Sequence, residues 1–134
     1  MSIERKIGIL QVENELLPLP QWYPDVTHHT ANGLYVRTML IPAGNLIIGK
    51  VHNTEHICIL DGDIYISDEF EDKRWIGHNV FVSPRGIKRI VRAVTDTWFT
   101  TIHHVTTDSI AEIEKAISYD SYDEYEQAKL EELS

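Results

Sequence analysis

Apolar positions along this chain follow two periods. Ile3, Ile7, Leu10 and Leu17 recur at roughly helical spacing, which predicts a short amphipathic helix within residues 2–17, weakened by Gly8. Leu17-Pro18-Leu19-Pro20 then predicts an extended path. Residues 1–25 thus read as an arm that packs on a core or on a neighbouring subunit. From Val26 to Val105 the period shortens. Turn signals at Asn32-Gly33, Pro42-Ala43-Gly44, Asp61-Gly62, Pro84-Arg85-Gly86 and Thr95-Asp96 separate apolar runs at Leu34–Ile41, Leu46–His52, His56–Leu60, Asp63–Ser67, Val80–Ser83, Ile87–Val94 and Trp98–His104. Asp61-Gly62 is the strongest hairpin signal among them, Asp68–Lys73 reads as a loop, and Gly77 as a break after Trp75-Ile76. Seven or eight short strands at this spacing predict a β-sandwich or small barrel over residues 26–105.

Helical spacing returns in residues 106–134. Ser109-x-x-Glu112 reads as a capping box before Ile110, Ile113 and Ile117, and Ser121-x-x-Glu124 as a second before Tyr125, Leu130 and Leu133. Two short helices divided near Ser118–Asp120 are expected, packed on the barrel or on a partner.

Charge narrows the picture. The net charge is −9, and Thr106 to Ser134 holds nine acids against Lys115 and Lys129. Clustered cations of the kind nucleic-acid binding needs are missing. The acidic segment suits a solvated face or a basic protein partner. No apolar run reaches the roughly 20 residues of a membrane helix, and the N-terminal residues lack a signal-peptide core. Cys58 is the single cysteine and falls in an apolar run, which predicts a buried thiol. A cytoplasmic protein is expected.

The chemistry concentrates in His52-Asn53-Thr54-Glu55-His56, three potential metal ligands in five residues at the mouth of an apolar strand. Imidazole and carboxylate suit zinc, iron, manganese or nickel. His52 and His56 share a face if the chain stays extended between them; a turn at Asn53-Thr54 would instead set them facing one another from adjacent strands. His103 and His104 alternate, so one of them can point inward as a further imidazole. Arg89 cannot ligate a metal but suits a carboxylate or phosphate. Alternation predicts Arg89 on one face of its strand and Lys88 and Arg92 on the other. Tyr35, Tyr65, Trp75 and Trp98 are candidates for core, rim or ligand stacking.

Pro42-Ala43-Gly44, Gly49 and His52-x-x-Glu55-His56-(x5)-Gly62 resemble the first motif of the cupins. Gly77-(x6)-Pro84-x-Gly86-x-x-Arg89 resembles the second. More broadly, residues 26–118 resemble small cupin-like proteins encoded by tailed bacteriophages. Thr27-His28-His29, Gly33-Leu34-Tyr35-x-Arg37, Ser83-Pro84-x-Gly86-x-Lys88-Arg89 and Thr97-Trp98-x-Thr100-x-Ile102-His103 carry that likeness. The resemblance implies a mainly β, double-stranded β-helix (jelly-roll) barrel with an N-terminal arm and C-terminal helices. It also implies a divalent-metal site from His52, Glu55, His56 and His103, with His103 preferred to His104. Arg89, Tyr35 and Trp98 would contact a small anionic ligand. Pairing as a homo-oligomer, most simply a dimer, is expected. The chain departs from the cupin pattern twice: Lys50-Val51-His52 stands where His-x-His is usual, and Arg89 where the last histidine is usual. Metal-assisted isomerase, epimerase or dioxygenase chemistry is one expectation. A non-catalytic virion accessory or host-interaction scaffold is the other.

Overall fold

The computed structural model describes residues 3–19 and 24–133. Residues 1–2 and 20–23 of the predicted arm lie outside that description. Helix α1 (Ile3–Leu16) is followed by strands β1 (Val26–Ala31), β2 (Leu34–Ile41), β3 (Leu46–Ile48), β4 (Val51–His52), β5 (His56–Ser67), β6 (Asp72–Ser83), β7 (Ile90–Ala93) and β8 (Thr97–His104). Helix α2 (Ile110–Ile117), strand β9 (Ser118–Tyr119) and helix α3 (Tyr122–Glu132) complete the described chain. The main sheet runs β1-β2-β8-β5-β7-β3, with β6 also on β5, and every pairing is antiparallel.

β5 is the hub of this sheet. Its whole length pairs with β6, from His56↔Ser83 to Ser67↔Asp72. On its other side, Ile57–Asp61 pair with β8 and Ile64–Ser67 pair with β7. The change of neighbour falls at Gly62, which faces Gly77 across the β5–β6 ladder. Both glycines have positive φ, 150° and 82°. Asp61-Gly62 is therefore not the predicted hairpin turn, and Gly77 does not break its strand. The hairpin lies instead at Asp68–Glu71, where Asp68 Oδ1 accepts from the amides of Phe70 and Glu71. Gly62 is required by close approach: a Cβ there would lie 2.4 Å from Thr97 Oγ1 and 2.8 Å from Thr97 Cα.

Alternation along these strands fills one interior. Ile41, Cys58, Leu60, Ile64, Ile66, Val91, Ala93 and Phe99 form the main core. The C-terminal segment closes it from outside. Ile113 and Ile117 of α2 pack with Tyr35 and Val105, and Tyr122 and Tyr125 of α3 pack with Val51. Ser121 caps α3 as expected, its side chain accepting from Glu124 N. Ser109 makes no side-chain cap. Thr107 Oγ1 takes over, accepting from Ser109 N and donating to Glu112.

The predicted stripe of α1 faces away from the barrel. Ile3, Ile7 and Leu10 are exposed, and Ile9 is the buried residue. The helix is held by polar contacts instead: Arg5 to Asp68 O and Asp72, Glu13 to Lys88 at 2.9 Å, and Lys6 over the Tyr122 ring. Leu17–Leu19 fold back on the helix through Leu17 N to Glu13 O and Leu19 N to Leu16 O, so the predicted extended path is not formed there. No helix among the described residues is long and apolar enough to cross a membrane.

The two facing glycines separate two effects. Gly62→Ala combines a positive φ with a clash against backbone and is expected to cost about 3 kcal/mol or more. Gly77→Ala has open space around its new Cβ and is expected to cost about 1 kcal/mol. Urea unfolding of the two variants checks this; equal losses would remove the close-approach explanation.

Candidate functional site

Three histidines, two from one five-residue stretch and one from a distant strand, meet inside the barrel. His52 ends β4, His56 begins β5, and His103 lies on β8 opposite Tyr35. Ring centroids are 4.5 Å apart for His52–His56, 4.4 Å for His56–His103 and 6.4 Å for His52–His103. A bend at Asn53–Thr54 brings the His52 and His56 rings together, tilted by 39°, although β4 pairs with β9 and not with β5 as adjacent strands would. His103 is 2% exposed, while His104 points outward, as alternation on a half-buried strand requires.

The segment carrying His52 is held from both sides. His52 N donates to Ile87 O at 2.9 Å, and Gly86 N donates to His52 O at 2.8 Å. On the other flank β4 pairs with β9, His52 opposite Ser118. Asn53 extends the clamp: its backbone N donates to Ile117 O and its Nδ2 to Ala116 O, while its Oδ1 accepts from Arg85. Arg85 also pairs with Glu132 of α3. Sequence reasoning missed this support, because it joins residues more than 30 positions apart.

Burial sets the protonation of the cluster. Desolvation holds His52 well below the ordinary imidazole pKa, and the neighbouring His56 and Arg89 push the same way. His56 is lowered by burial, partly offset by its bond to Thr54 O. His103 is lowered to about 4, by burial first and then by His56 and Arg37. All three are neutral at pH 7. His56 Nδ1 lies 2.8 Å from Thr54 O. A carbonyl only accepts, so neutral His56 carries its proton on Nδ1 and presents a bare lone pair at Nε2.

That lone pair has no partner. The buried side-chain nitrogens and oxygens without a hydrogen bond, among the described residues, are His52 Nδ1, Thr54 Oγ1, His56 Nε2, His103 Nδ1 and Arg89 Nη1. Every one belongs to this cluster or its border. Buried polar groups are normally satisfied, so five orphans in one place mark a site. His103 Nε2 is engaged by Thr101 Oγ1 at 3.2 Å, which orients the ring and leaves Nδ1 facing the other way.

Arg89 borders the cluster and is 6% exposed. Its Nη2 donates to Ser83 Oγ at 2.7 Å, and Ser83 is the cross-strand partner of His56. Residues 87–89 precede β7 and are irregular, and Lys88 and Arg89 are both buried. Their side chains part as alternation predicts: Lys88 reaches Glu13 and Asp120 O, and Arg89 reaches Ser83 and the Phe81 ring. Glu69 fixes that shape: its buried carboxylate accepts from Lys88 N at 2.9 Å and from Tyr122 OH at 2.6 Å.

Other sequence candidates stand elsewhere. Glu55 is exposed and makes no hydrogen bond or ion pair with the histidines. Trp98 is 49% exposed, on the outward face of β8. Tyr35 is fully buried, with its ring 5.9 Å from that of His103 and its hydroxyl 2.5 Å from His28 Nδ1.

The donor set fits a divalent ion in number and chemistry: three neutral imidazoles with unengaged nitrogens. Imidazoles around one tetrahedral ion, bound at about 2.0–2.1 Å, stand with ring centres about 5 Å apart. The observed spacings bracket that value. The lone pairs do not yet converge. His56 and His103 are near-stacked, with 23° between planes, and lone pairs lie in the ring planes. As the rings stand, no group of three or more His, Cys, Asp or Glu side chains among the described residues is placed to hold a metal ion.

No protein-family model matches this sequence, and no curated protein matches it. Solved structures do match its fold. A cupin superfamily protein from Desulfitobacterium hafniense is similar with a TM-score of 0.54 at 10% identity, over 69% of this chain and 86% of that one. An RmlC-like cupin family protein with a double-stranded β-helix fold from Methanocaldococcus jannaschii gives 0.52 at 12% identity, over 62% and 81%. Salicylate 1,2-dioxygenase from Pseudoaminobacter salicylatoxidans, solved with gentisate adducts, gives 0.58 at 13% identity; the match covers 85% of this chain and 33% of the dioxygenase. The fold is the cupin-type double-stranded β-helix.

Neutral buried imidazoles make a pH prediction for the metal-free protein in chelator. The folded pKa of His103 is depressed, so the unfolded chain takes the proton first. Stability is full above about pH 6.5 and falls as pH drops toward 4. His103 alone should account for a loss on the order of 3 kcal/mol over that window. Urea midpoints measured from pH 8 to 4.5 should show the slope, and His103→Gln should flatten much of it. Wild-type stability that stays constant to pH 4.5 would contradict a neutral cluster.

Proposed function

We propose that this protein is a small cupin-fold binding protein whose barrel holds a divalent metal ion on His52, His56 and His103. One observation carries the reading: three neutral imidazoles, with ring centroids 4.4–6.4 Å apart, each keep a buried nitrogen unengaged. A purely structural role would leave that polarity without compensation, at a cost of about 1–3 kcal/mol for each orphan. A scaffold or virion-accessory role for the barrel gives no reason for those orphans. A divalent ion there would supply Lewis acidity undiminished by ligand charge, since the imidazoles are neutral.

The chain's own residues would prepare the site. Thr54 O fixes the His56 tautomer, and Thr101 orients His103. The β4–β9 pairing and the Asn53 bonds hold His52 in place. Glu55, which the motif resemblance assigned as a ligand, is left outside. This set of donors suits zinc, iron, manganese or nickel.

Metal titration of chelated, dialysed protein tests the reading. One equivalent of at least one of these ions should bind and raise the melting temperature. His52→Ala, His56→Ala and His103→Ala should each weaken binding tenfold or more, and Glu55→Ala should leave it unchanged. Cobalt substitution should give the visible absorption of an imidazole-bound ion. No stoichiometric binding by any of the four ions, or an equal loss in the Glu55 variant, would overturn the assignment.

A further inference from the structure

Arg89 is a buried cation with no anion. It is 6% exposed, and a guanidinium cannot shed its proton in a protein. Its polar contacts among the described residues amount to one hydroxyl, Ser83 Oγ. The guanidinium also lies over the Phe81 ring, 5.6 Å from its centroid, and Nη1 is buried without a partner.

The adjacent residue shows that the fold can neutralise a buried charge in this region. Lys88, 1% exposed, pairs with Glu13 at 2.9 Å. Arg5, Arg74 and Arg85 each pair with a carboxylate as well. The chain carries 21 acidic residues, yet among the described residues none forms an ion pair with Arg89; Asp68 and Glu69 act on it only from a distance. An unpaired buried charge is destabilising unless something external completes it. Ser83, which holds Arg89, is the cross-strand partner of His56, so the guanidinium stands beside the histidine cluster.

We propose that Arg89 Nη1, beside the histidine cluster, forms a subsite for a small oxyanion, of carboxylate or phosphate type, that supplies a counter-charge inside the barrel. Ser83 Oγ holds the guanidinium by Nη2 and leaves Nη1 for the ligand. Nη1 then donates a charge-assisted hydrogen bond to an oxygen of the ligand. A second consequence rests on the metal reading above. A divalent ion on neutral ligands beside Arg89 gathers positive charge in a buried place. Metal and oxyanion should therefore each raise the other's affinity, by the same factor.

The test begins with the full chain in chelator, so the anion subsite is read without metal. Calorimetric titration with acetate, and separately with inorganic phosphate, should show saturable one-to-one binding of at least one; which of them binds fixes the class. Sodium chloride at matched ionic strength should not substitute. Arg89→Met should abolish that binding. It should also raise the melting temperature in anion-free buffer, because it removes an uncompensated charge, and the bound anion should stabilise wild type but not the variant. A lowered melting temperature for Arg89→Met together with equal anion effects on both proteins would overturn the subsite, as would the absence of saturable binding of either anion. A metal titration with and without the bound anion reads the coupling: at least tenfold tighter metal binding is expected in wild type and no change in Arg89→Met. Loss of metal binding with anion binding intact would count against the metal reading alone.

Discussion

The architecture depends on one strand keeping two different neighbours on the same side. β5 pairs with β8 through Asp61 and with β7 from Ile64 onward. The exchange requires the backbone of β8 to come within contact of β5 at Gly62, where no side chain would fit. From that crossing follow the curl of the sheet and the enclosure of its apolar face. The positions of His56 and His103 follow as well, at the start of β5 and on β8. A barrel built this way brings His103 beside His56, 47 positions earlier in the chain.

Much of this was legible in the chain, and the failures share a cause. Period-two runs and their turn residues gave the strands, and helical spacing gave all three helices. Asp61-Gly62 misled because local turn chemistry and distant close approach select the same residue. The reason for Gly62 is Thr97, 35 positions away, and no local pattern encodes that. The stripe on α1 was visible as a period, but periodicity does not say which face meets the barrel. The answer came from Arg5, Lys6 and Glu13, whose partners lie on three other segments.

The candidate site was legible to a similar degree. Clustering drew attention to His52 and His56, and alternation required one of His103 and His104 to face inward. Glu55 sits one residue from His56, so the start of β5 puts only one of them inside. Alternation separated Arg89 from Lys88; what was not legible is Glu69, whose buried carboxylate holds this segment through Lys88 N. The same buried carboxylate anchors Tyr122 of α3. One side chain thus joins the shape of the Arg89 loop to the docking of the C-terminal helix.

That C-terminal segment carries much of the negative charge on its surface, while its inner side forms a wall of the site. His52 gains its second flank only through Ser118, and Asn53 only through Ala116 and Ile117. During synthesis from the N-terminus, every strand of the main sheet emerges before any of these partners exists. The apolar barrel can therefore close first, and the polar site is finished last. Translation order alone would keep the nascent chain from holding a ligand before its core is sealed.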